Sequence, residues 1–237
     1  MRARAAKADA SWSRSPASRL RVAAFYDIHG NLPALDAVLD EVGADPIVVG
    51  GDIVGGEQPA ETLERLRALQ NLHWIRGNVE CELVEPGPER EGGPPPGAME
   101  ELAAKLTQEQ IDFLYGLPRT VTLDVDGLGP VLFCHATPRN EFEIFTIHTS
   151  EEQVLELLDG VAERVIVCGH THVQVDRRVG DYRVVNAGSV GMPYEDAPGA
   201  YWALLGPGVE LRRTPLEGEV APLASREEAS TYFESLR

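Results

Sequence analysis

The sequence predicts an α/β fold in which a core of two mixed β-sheets lies between helices. In the first half of the chain, short apolar strands alternate with amphipathic helices, as in parallel β-α-β units. In the second half, strands follow one another closely, which a second mixed sheet accommodates. With 237 residues, 43% of them hydrophobic and 25% charged, the chain has the composition of an ordinary globular domain.

The first strand, Val22–Tyr26, is uniformly apolar and is expected to be buried. Asn31 can cap the helix that follows, and Pro33 is tolerated in its first turn. The apolar residues of this helix recur at helical spacing: Leu32, Leu35, Val38, Leu39 and Val42. Next come predicted strands at Ile47–Val49 and Leu72–Ile75, with a helix at Glu61–Leu69 between them. Glu85–Gly97 holds five prolines and four glycines and is predicted to be a loop.

The second half is predicted by the same patterns. Helices are expected at Met99–Leu106, Glu109–Leu114, Glu151–Leu158 and Arg226–Leu236. Strands are expected at Thr120–Val125, Val131–Cys134, Val165–Cys168, Val173–Val179, Arg183–Val185 and Tyr201–Leu205. We therefore predict one domain over residues 21–237, preceded by a disordered basic extension over residues 1–20.

The charge balance excludes several classes of function. The chain carries −17, and its first 21 residues hold six basic residues and one acidic residue, so the remainder carries about −22. Such an acidic body repels nucleic-acid backbones, so general nucleic-acid binding is not expected.

The apolar runs are far shorter than the roughly 20 residues of a membrane span, so no membrane partner is expected. Three cysteines without a CxxC pattern indicate buried thiols and a cytoplasmic protein.

Side chains that can bind metals follow five of the predicted strands. They occur in the sequences Asp27-Ile-His29, Gly51-Asp52, Gly77-Asn78, His135 and Gly169-His170-Thr171-His172. In open α/β sheets, ligands bind outside the carboxyl ends of the strands, so these side chains should converge. Residues i and i+2 of an extended chain point to the same side, which places Asp27 with His29 and His170 with His172. The sequence therefore predicts one metal centre built from seven side chains: Asp27, His29, Asp52, Asn78, His135, His170 and His172.

Seven ligands exceed what one tetrahedral ion uses, and the absence of thiolate among them suits manganese, iron, zinc or magnesium. If Asp52 bridges, each of two ions receives four protein ligands. Two dications, two carboxylates and one hydroxide then leave about one positive charge to attract an anion. Two such ions can stabilise both the attacking and the leaving oxygen of an in-line phosphoryl displacement.

These motifs, together with DIHGNLPAL and NAGSVGMP, resemble the calcineurin-like metallophosphoesterase superfamily, most closely its small bacterial and archaeal phosphodiesterase-type members. The resemblance runs from about Arg21 to about Leu216 and implies a four-layer αββα sandwich of two mixed β-sheets flanked by helices. It implies a first metal on Asp27, His29, Asp52 and His172 and a second on Asp52, Asn78, His135 and His170. It also implies that a hydroxide held at the bridging Asp52 attacks phosphorus directly. We expect two divalent ions, manganese first, with iron, zinc, nickel or magnesium as alternatives.

One position departs from the family pattern. The third motif usually continues with histidine and then Asp or Glu, whereas this chain has Gly77-Asn78-Val79-Glu80. The missing histidine would act as a general acid, which is typically worth about 10²–10⁴-fold in rate. The enzyme then prefers good leaving groups, uses another residue or is weakly active. His148 is a candidate replacement acid, with a surface histidine as the alternative.

Four further side chains are candidates for supporting roles. Glu80 could orient a metal ligand. Arg139 could contact the substrate phosphate, or equally form a surface salt bridge. Asn186 and Ser189 are expected to support the floor of the site rather than to touch metal.

The leading hypothesis is a metal-dependent phosphoric ester hydrolase that acts on a small phosphate ester. Within that class, a phosphodiesterase is the first expectation. The alternatives are a metal-binding but catalytically weak or silent scaffold module, a phosphomonoesterase, and a nuclease. The sequence leaves the substrate and the oligomeric state open.

Overall fold

The computed structural model describes residues 20–43, 45–85, 87, 93–216 and 225–237. The predicted basic extension lies outside the described residues except for Leu20, and part of the predicted 85–97 loop also lies outside them. The division into an extension and one domain stays a prediction.

In the part of the chain that the structure describes, ten strands form two mixed five-stranded sheets. The strands of the first sheet are β1 (Val22–Phe25), β2 (Ile47–Val49), β3 (Leu72–Trp74), β9 (Ala200–Leu205) and β10 (Val209–Thr214). Those of the second are β4 (Thr120–Val125), β5 (Gly129–Cys134), β6 (Val165–Cys168), β7 (Val175–Val179) and β8 (Tyr182–Asn186). The sheet orders are β10-β9-β1-β2-β3 and β4-β5-β6-β8-β7. In the first sheet, β1, β2 and β3 run parallel, and β9 and β10 complete the sheet with antiparallel pairing. In the second sheet, β5, β6 and β8 run parallel in the centre, and β4 and β7 pair with them antiparallel at the two edges.

Seven helices accompany these strands among the described residues. They are α1 (Leu32–Val42), α2 (Pro59–Arg67), α3 (Asn78–Glu82), α4 (Ala98–Ala103), α5 (Gln108–Tyr115), α6 (Glu151–Leu157) and α7 (Arg226–Ser235). Helix α3 and strand β10 were not expected from the sequence, and β7 begins two residues later than predicted. The α1 helix begins as predicted, because Asn31 accepts a hydrogen bond from the Ala34 amide.

The apolar side chains form three layers of core. Alternate residues of β1 face opposite ways, so Val22 and Ala24 lie between the two sheets while Ala23 and Phe25 pack toward α1 and α2. A third cluster lies between the second sheet and α6. The hydroxyl of Tyr26 donates across the inter-sheet layer to the Val167 carbonyl at 3.0 Å. The predicted sandwich of two mixed sheets flanked by helices is confirmed.

All three cysteines are buried and are not disulfide-bonded, as expected. Burial raises the pKa of the Cys81 thiol to about 12. Among the described residues, no helix has both the length and the apolar character that a membrane span needs.

Candidate metal centre

The carboxyl ends of β1, β2, β3, β5 and β6 bring the seven predicted ligands together as two adjacent groups. In the first group, Asp27, His29 and His172 each offer a ligand atom, and these atoms lie within 4.8 Å of one another. Asp52, His135 and His170 do the same in the second group. Asn78 joins the second group, since its Oδ1 lies 3.1 Å from His135 Nε2. Each group can therefore hold one cation.

The carboxylate of Asp52 lies between the two groups. Its Oδ2 is 3.8 Å from His29 Nε2, and its Oδ1 is 3.5 Å from His135 Nε2. One carboxylate thus faces a ligand of each group, which is the position that a bridging ligand requires.

The surroundings of Asp27 test whether a cation fits. Its Oδ1 is buried and accepts no hydrogen bond from the described residues, although it lies 3.2 Å from His172 Nε2, 3.9 Å from His29 Nε2 and 4.0 Å from His135 Nε2. A buried carboxylate oxygen without a partner is costly, and a cation bound between it and the imidazoles removes that cost.

Asn78 gives the same indication in the second group. The amide atom that it points inward lies 2.9 Å from His170 Nδ1, 3.1 Å from His135 Nε2 and 3.3 Å from Asp52 Oδ2. Carboxylate oxygens and unprotonated imidazole nitrogens are hydrogen-bond acceptors, so an amide oxygen at that point needs a cation among them. The donor set of carboxylate, amide and imidazole suits a divalent metal ion.

Two of the histidines are held by backbone carbonyls. His172 Nδ1 lies 2.7 Å from the Met192 carbonyl, and His135 Nδ1 lies 2.9 Å from the Gly50 carbonyl. Each Nδ1 donates to its carbonyl, which leaves the lone pair of Nε2 directed into the site. These contacts therefore set both the tautomer and the direction of two ligands.

The acids and bases of the site perturb one another. Burial would raise the pKa of Asp27, but His172, His135 and His29 hold it well below its ordinary value. Burial lowers the pKa of His29 to about 3, helped by His172, so its imidazole is neutral and can bind metal. Burial raises the pKa of Asp52 to about 7. Burial would lower the pKa of His135, but the carboxylates of Asp52 and Asp27 raise it.

The backbone at the ligands differs from the geometry that the sequence suggested. Asp27, His29, Asp52, His170 and His172 have φ angles of 52°, 47°, 50°, 70° and 57°, all in the left-handed region. The expectation that the paired ligands converge because the chain is extended was therefore wrong. They converge because the chain turns sharply as it leaves each strand.

Glu80 joins two of these turns. Its fully buried carboxylate accepts hydrogen bonds from the amides of Asp52 and Gly77 through Oε2, both at 2.8 Å. Its Oε1 accepts from the amides of Ile53 at 2.8 Å and Val54 at 3.4 Å. Glu80 touches backbone rather than a ligand side chain, so it shapes the loop that presents Asp52.

Asn186 and Ser189 also lie beneath the site. Asn186 Nδ2 donates to the Gly169 carbonyl at 2.7 Å and to Thr171 Oγ1 at 3.0 Å, which fixes the turn bearing His170 and His172. The Ser189 hydroxyl donates to the Asp27 carbonyl at 2.7 Å. Both side chains support the backbone of the ligands.

The structure does not bring His148 or Arg139 to the metal ligands. In the contacts of the described residues, His148 Nε2 lies 3.3 Å from Glu227 in α7, and Arg139 pairs with Glu143 at 2.9 Å. Arg139 instead lines a cavity of about 340 Å³ together with residues of α6 and the end of the chain. Val79 is only 8% exposed and belongs to the apolar cluster around α1 and α2.

One lysine contacts a turn that packs on a proposed metal ligand, and no sequence motif indicates this contact. Lys105 Nζ donates to the Gly56 carbonyl at 3.0 Å. The turn that carries this carbonyl packs on His29, since a Cβ on the neighbouring Gly55 would lie 3.1 Å from His29 Nδ1. The only feature of the sequence that distinguishes Lys105 is the rarity of lysine, since Lys7 and Lys105 are the only two lysines of the chain.

Comparisons with known proteins agree with this geometry. Residues 20–205 match the model of the calcineurin-like phosphoesterase superfamily domain. An uncharacterized protein from Methanocaldococcus jannaschii is 30% identical over 195 residues, which cover 73% of this chain and 76% of that protein. A metallophosphoesterase from Sphaerobacter thermophilus has a TM-score of 0.68 at 25% identity and covers 84% of this chain and 89% of its own. A hypothetical protein from Pyrococcus horikoshii shares the fold, with a TM-score of 0.71 at 20% identity over 92% of this chain and 94% of that one.

Proposed function

The chain belongs to the calcineurin-like phosphoesterase superfamily, and we propose that it is a metal-dependent phosphodiesterase that binds two divalent ions, manganese first among them. The observation that carries the proposal is the carboxylate of Asp52, which faces side chains of both groups that could hold a metal ion. We further propose a cytoplasmic location, which the buried, unpaired thiols support.

In this proposal Asp27, His29, Asp52 and His172 hold one ion, and Asp52, Asn78, His135 and His170 hold the other. When bound, the ions supply positive charge that activates water and stabilises the transferring phosphoryl group. The chain itself supplies ligand direction, through the carbonyls of Met192 and Gly50, and a rigid loop at Asp52, through Glu80.

The preference for a diester has a simple electrostatic basis. A phosphodiester carries one negative charge near neutral pH, whereas a monoester carries nearly two. A chain with a net charge of −17 repels the second more strongly as it approaches, before the positive charge of the site acts on it. The same argument disfavours polymeric nucleic acid as a substrate.

The leaving group must depart without a proton from Val79, the residue that replaces the usual histidine of the third motif. The side chain of Val79 has no proton to give, and it is buried among apolar residues. We therefore propose that the substrate has a leaving group that is stable as an anion, such as an aryl oxide.

The test is turnover of bis-p-nitrophenyl phosphate and p-nitrophenyl phosphate with added Mn²⁺, Mg²⁺, Ni²⁺ or Zn²⁺. We expect the diester to turn over faster, and Asp52→Asn or Asn78→Ala to lower kcat/KM by about 10²-fold or more, since the first removes the negative charge of the proposed bridging carboxylate and the second removes a metal ligand. The matched control is Asp181→Asn. Asp181 is exposed in the turn that precedes β8, at the opposite end of that strand from the site. Full activity in the two ligand variants would disprove the assignment.

The burial of Val79 also favours a second candidate, a module that binds metal without hydrolysing esters. The variant Val79→His, compared with Val79→Leu, separates the two. If chemistry is limited by a missing acid, histidine but not leucine should raise turnover, most of all for esters with poor leaving groups. Two bound metals without turnover in any variant would favour the silent module.

A further inference from the structure

An aromatic stack leads from the metal centre to the C-terminal helix. The rings of His172 and Tyr194 are stacked, with centroids 5.0 Å apart and planes inclined by 20°. The Tyr194 amide donates to the His172 carbonyl at 3.2 Å, which fixes the two residues side by side. The ring of Phe233, in α7, lies 5.8 Å from the ring of Tyr194.

Helix α7 is also anchored to the segment that follows His135 and to the segment that carries Tyr194. Glu234 accepts hydrogen bonds from the hydroxyls of Thr146 at 2.6 Å and Thr149 at 2.5 Å, in the segment that follows His135. Arg226 lies 3.8 Å from Glu195, which is the neighbour of Tyr194. The helix lies beyond residues 20–205, so the family model does not include it.

We propose that Tyr194 is a positioning residue that fixes the imidazole plane of His172, and that α7 holds Tyr194 in place through Phe233. The hydrogen bond from His172 Nδ1 to the Met192 carbonyl sets the direction of the ring, but a single bond of this kind allows the ring to rotate about it. The ring of His29 is tilted by 53° against that of His172 rather than stacked on it. A second ring stacked at 20° restricts that tilt. The proposal depends on metal binding, as set out in the proposed function, and not on hydrolysis.

The energetic reason is pre-organisation. A side chain that is already ordered loses less conformational entropy when it binds a ligand. Groups that orient metal ligands typically contribute about 10–100-fold to metal affinity. Because His172 belongs to the first group alone, loss of the stack should weaken one of the two metals and spare the other.

The experiment is a calorimetric titration of the full-length, metal-free protein with Mn²⁺. In Tyr194→Leu, we expect one of the two affinities to fall about 10–100-fold and the other to change by less than about threefold. Tyr194→Phe should behave as the unaltered protein, because the stack needs the ring and not the hydroxyl. Phe233→Leu should weaken the same metal by a smaller factor.

The matched control is Phe113→Leu, which removes an aromatic contact with Trp74 at 5.5 Å outside the metal centre. It should lower the melting temperature and leave both Mn²⁺ affinities unchanged. If Tyr194→Leu and Phe233→Leu also keep both affinities, the positioning role is wrong. If the unaltered protein binds two Mn²⁺ ions but hydrolyses neither ester, the proposed phosphodiesterase activity fails while the Tyr194 result still decides this inference.

Discussion

Five ligands of the proposed metal centre have a left-handed backbone: Asp27, His29, Asp52, His170 and His172. Such a conformation costs a residue with a side chain about 1–2 kcal/mol, so the surrounding structure must enforce it. Part of the enforcement is visible in the amides of Asp27 and His29, which donate to the carbonyls of Gly51 and Asp52 at 3.1 and 2.9 Å. Because these hydrogen bonds connect the turn after β1 with the turn after β2, the folded chain positions the proposed ligands without the help of a bound metal.

Gly77 is needed for this arrangement because there is no room for a side chain. A Cβ at that position would lie 2.3 Å from Asp52 Oδ1 and 2.4 Å from the Asp52 amide nitrogen. We expect Gly77→Ala to cost about 1–3 kcal/mol of stability and to weaken Mn²⁺ binding, as measured by thermal denaturation and calorimetry. The control is Gly208→Ala, where a Cβ meets nothing within 4 Å. Equal behaviour of the two variants would contradict the prediction.

Metal binding should depend on pH through Asp52. Burial raises the pKa of this carboxyl to about 7 in the metal-free protein, so below pH 7 a metal must displace a proton from it. The imidazole of His135, whose pKa the carboxylates of Asp52 and Asp27 raise, must also lose its proton before it can bind metal. The apparent affinity for Mn²⁺ should therefore fall by about tenfold or more per pH unit as the pH drops below 7. His29, with a pKa of about 3, adds no such loss in this range. Titrations at pH 6 and 8 in buffers of different ionisation enthalpy also count the released protons, and an affinity independent of pH would refute the assignment.

At the scale of whole elements, the apolar strands and amphipathic helices could be predicted because burial dictates their patterns. Helix α3 could not, because its five residues, Asn78–Glu82, have no apolar repeat and are held by contacts with the site. Strand β10, Val209–Thr214, could not be predicted because it is an edge strand with a largely polar sequence. Its pairing with β9 determines its register.

The seven ligands could be predicted because strand ends converge in this kind of fold. The roles of His148 and Arg139 depend on where a side chain points, which no local pattern encodes. The stack of Tyr194 on His172 connects two separate loops, and Tyr194 in turn contacts α7. Contacts between residues so far apart in the chain produce no periodic pattern in the sequence.

Glu80 connects α3 with the loop after β2, and its exchange for glutamine tests that link. The glutamine amide nitrogen cannot accept, so the amides on one side of Glu80 lose their partner. Each buried, unsatisfied donor costs about 1–3 kcal/mol. We expect Glu80→Gln to lower the melting temperature by at least about 2–4 °C and to weaken Mn²⁺ binding. Glu41→Gln, the same exchange on the exposed face of α1, should change neither, and a similar loss in both variants would exclude a specific role for Glu80.

At the scale of the molecule, each ligand group joins the two sheets. Asp27 and His29 follow a strand of the first sheet, and His172 follows one of the second. The second group likewise combines Asp52 and Asn78 from the first sheet with His135 and His170 from the other. Bound ions would therefore cross-link the sheets at one edge.

Metal should stabilise the fold as a consequence. A ligand at 100 times its Kd stabilises the native state by about 2.7 kcal/mol when the unfolded chain does not bind it, and each kcal/mol raises the Tm of a domain this size by about 2–4 °C. We expect Mn²⁺ to raise the Tm by about 5–10 °C and chelation to reverse it. Asp181→Asn should keep this shift and Asp52→Asn should lose most of it. Binding detected by calorimetry without a change in Tm would mean that the unfolded chain binds the metal equally well, and would contradict a site that the folded sheets create.

The anchored Lys105 has a practical consequence. Because Lys7 is the only other lysine, a Lys7→Arg protein presents one side-chain amine to an acylating dye, besides the amino terminus of the chain. That amine donates to the Gly56 carbonyl in the turn that packs on His29. A fluorophore attached there would stand beside the metal centre, and paramagnetic Mn²⁺ would quench it. Occupancy could then be followed optically, in real time, without knowledge of the natural substrate.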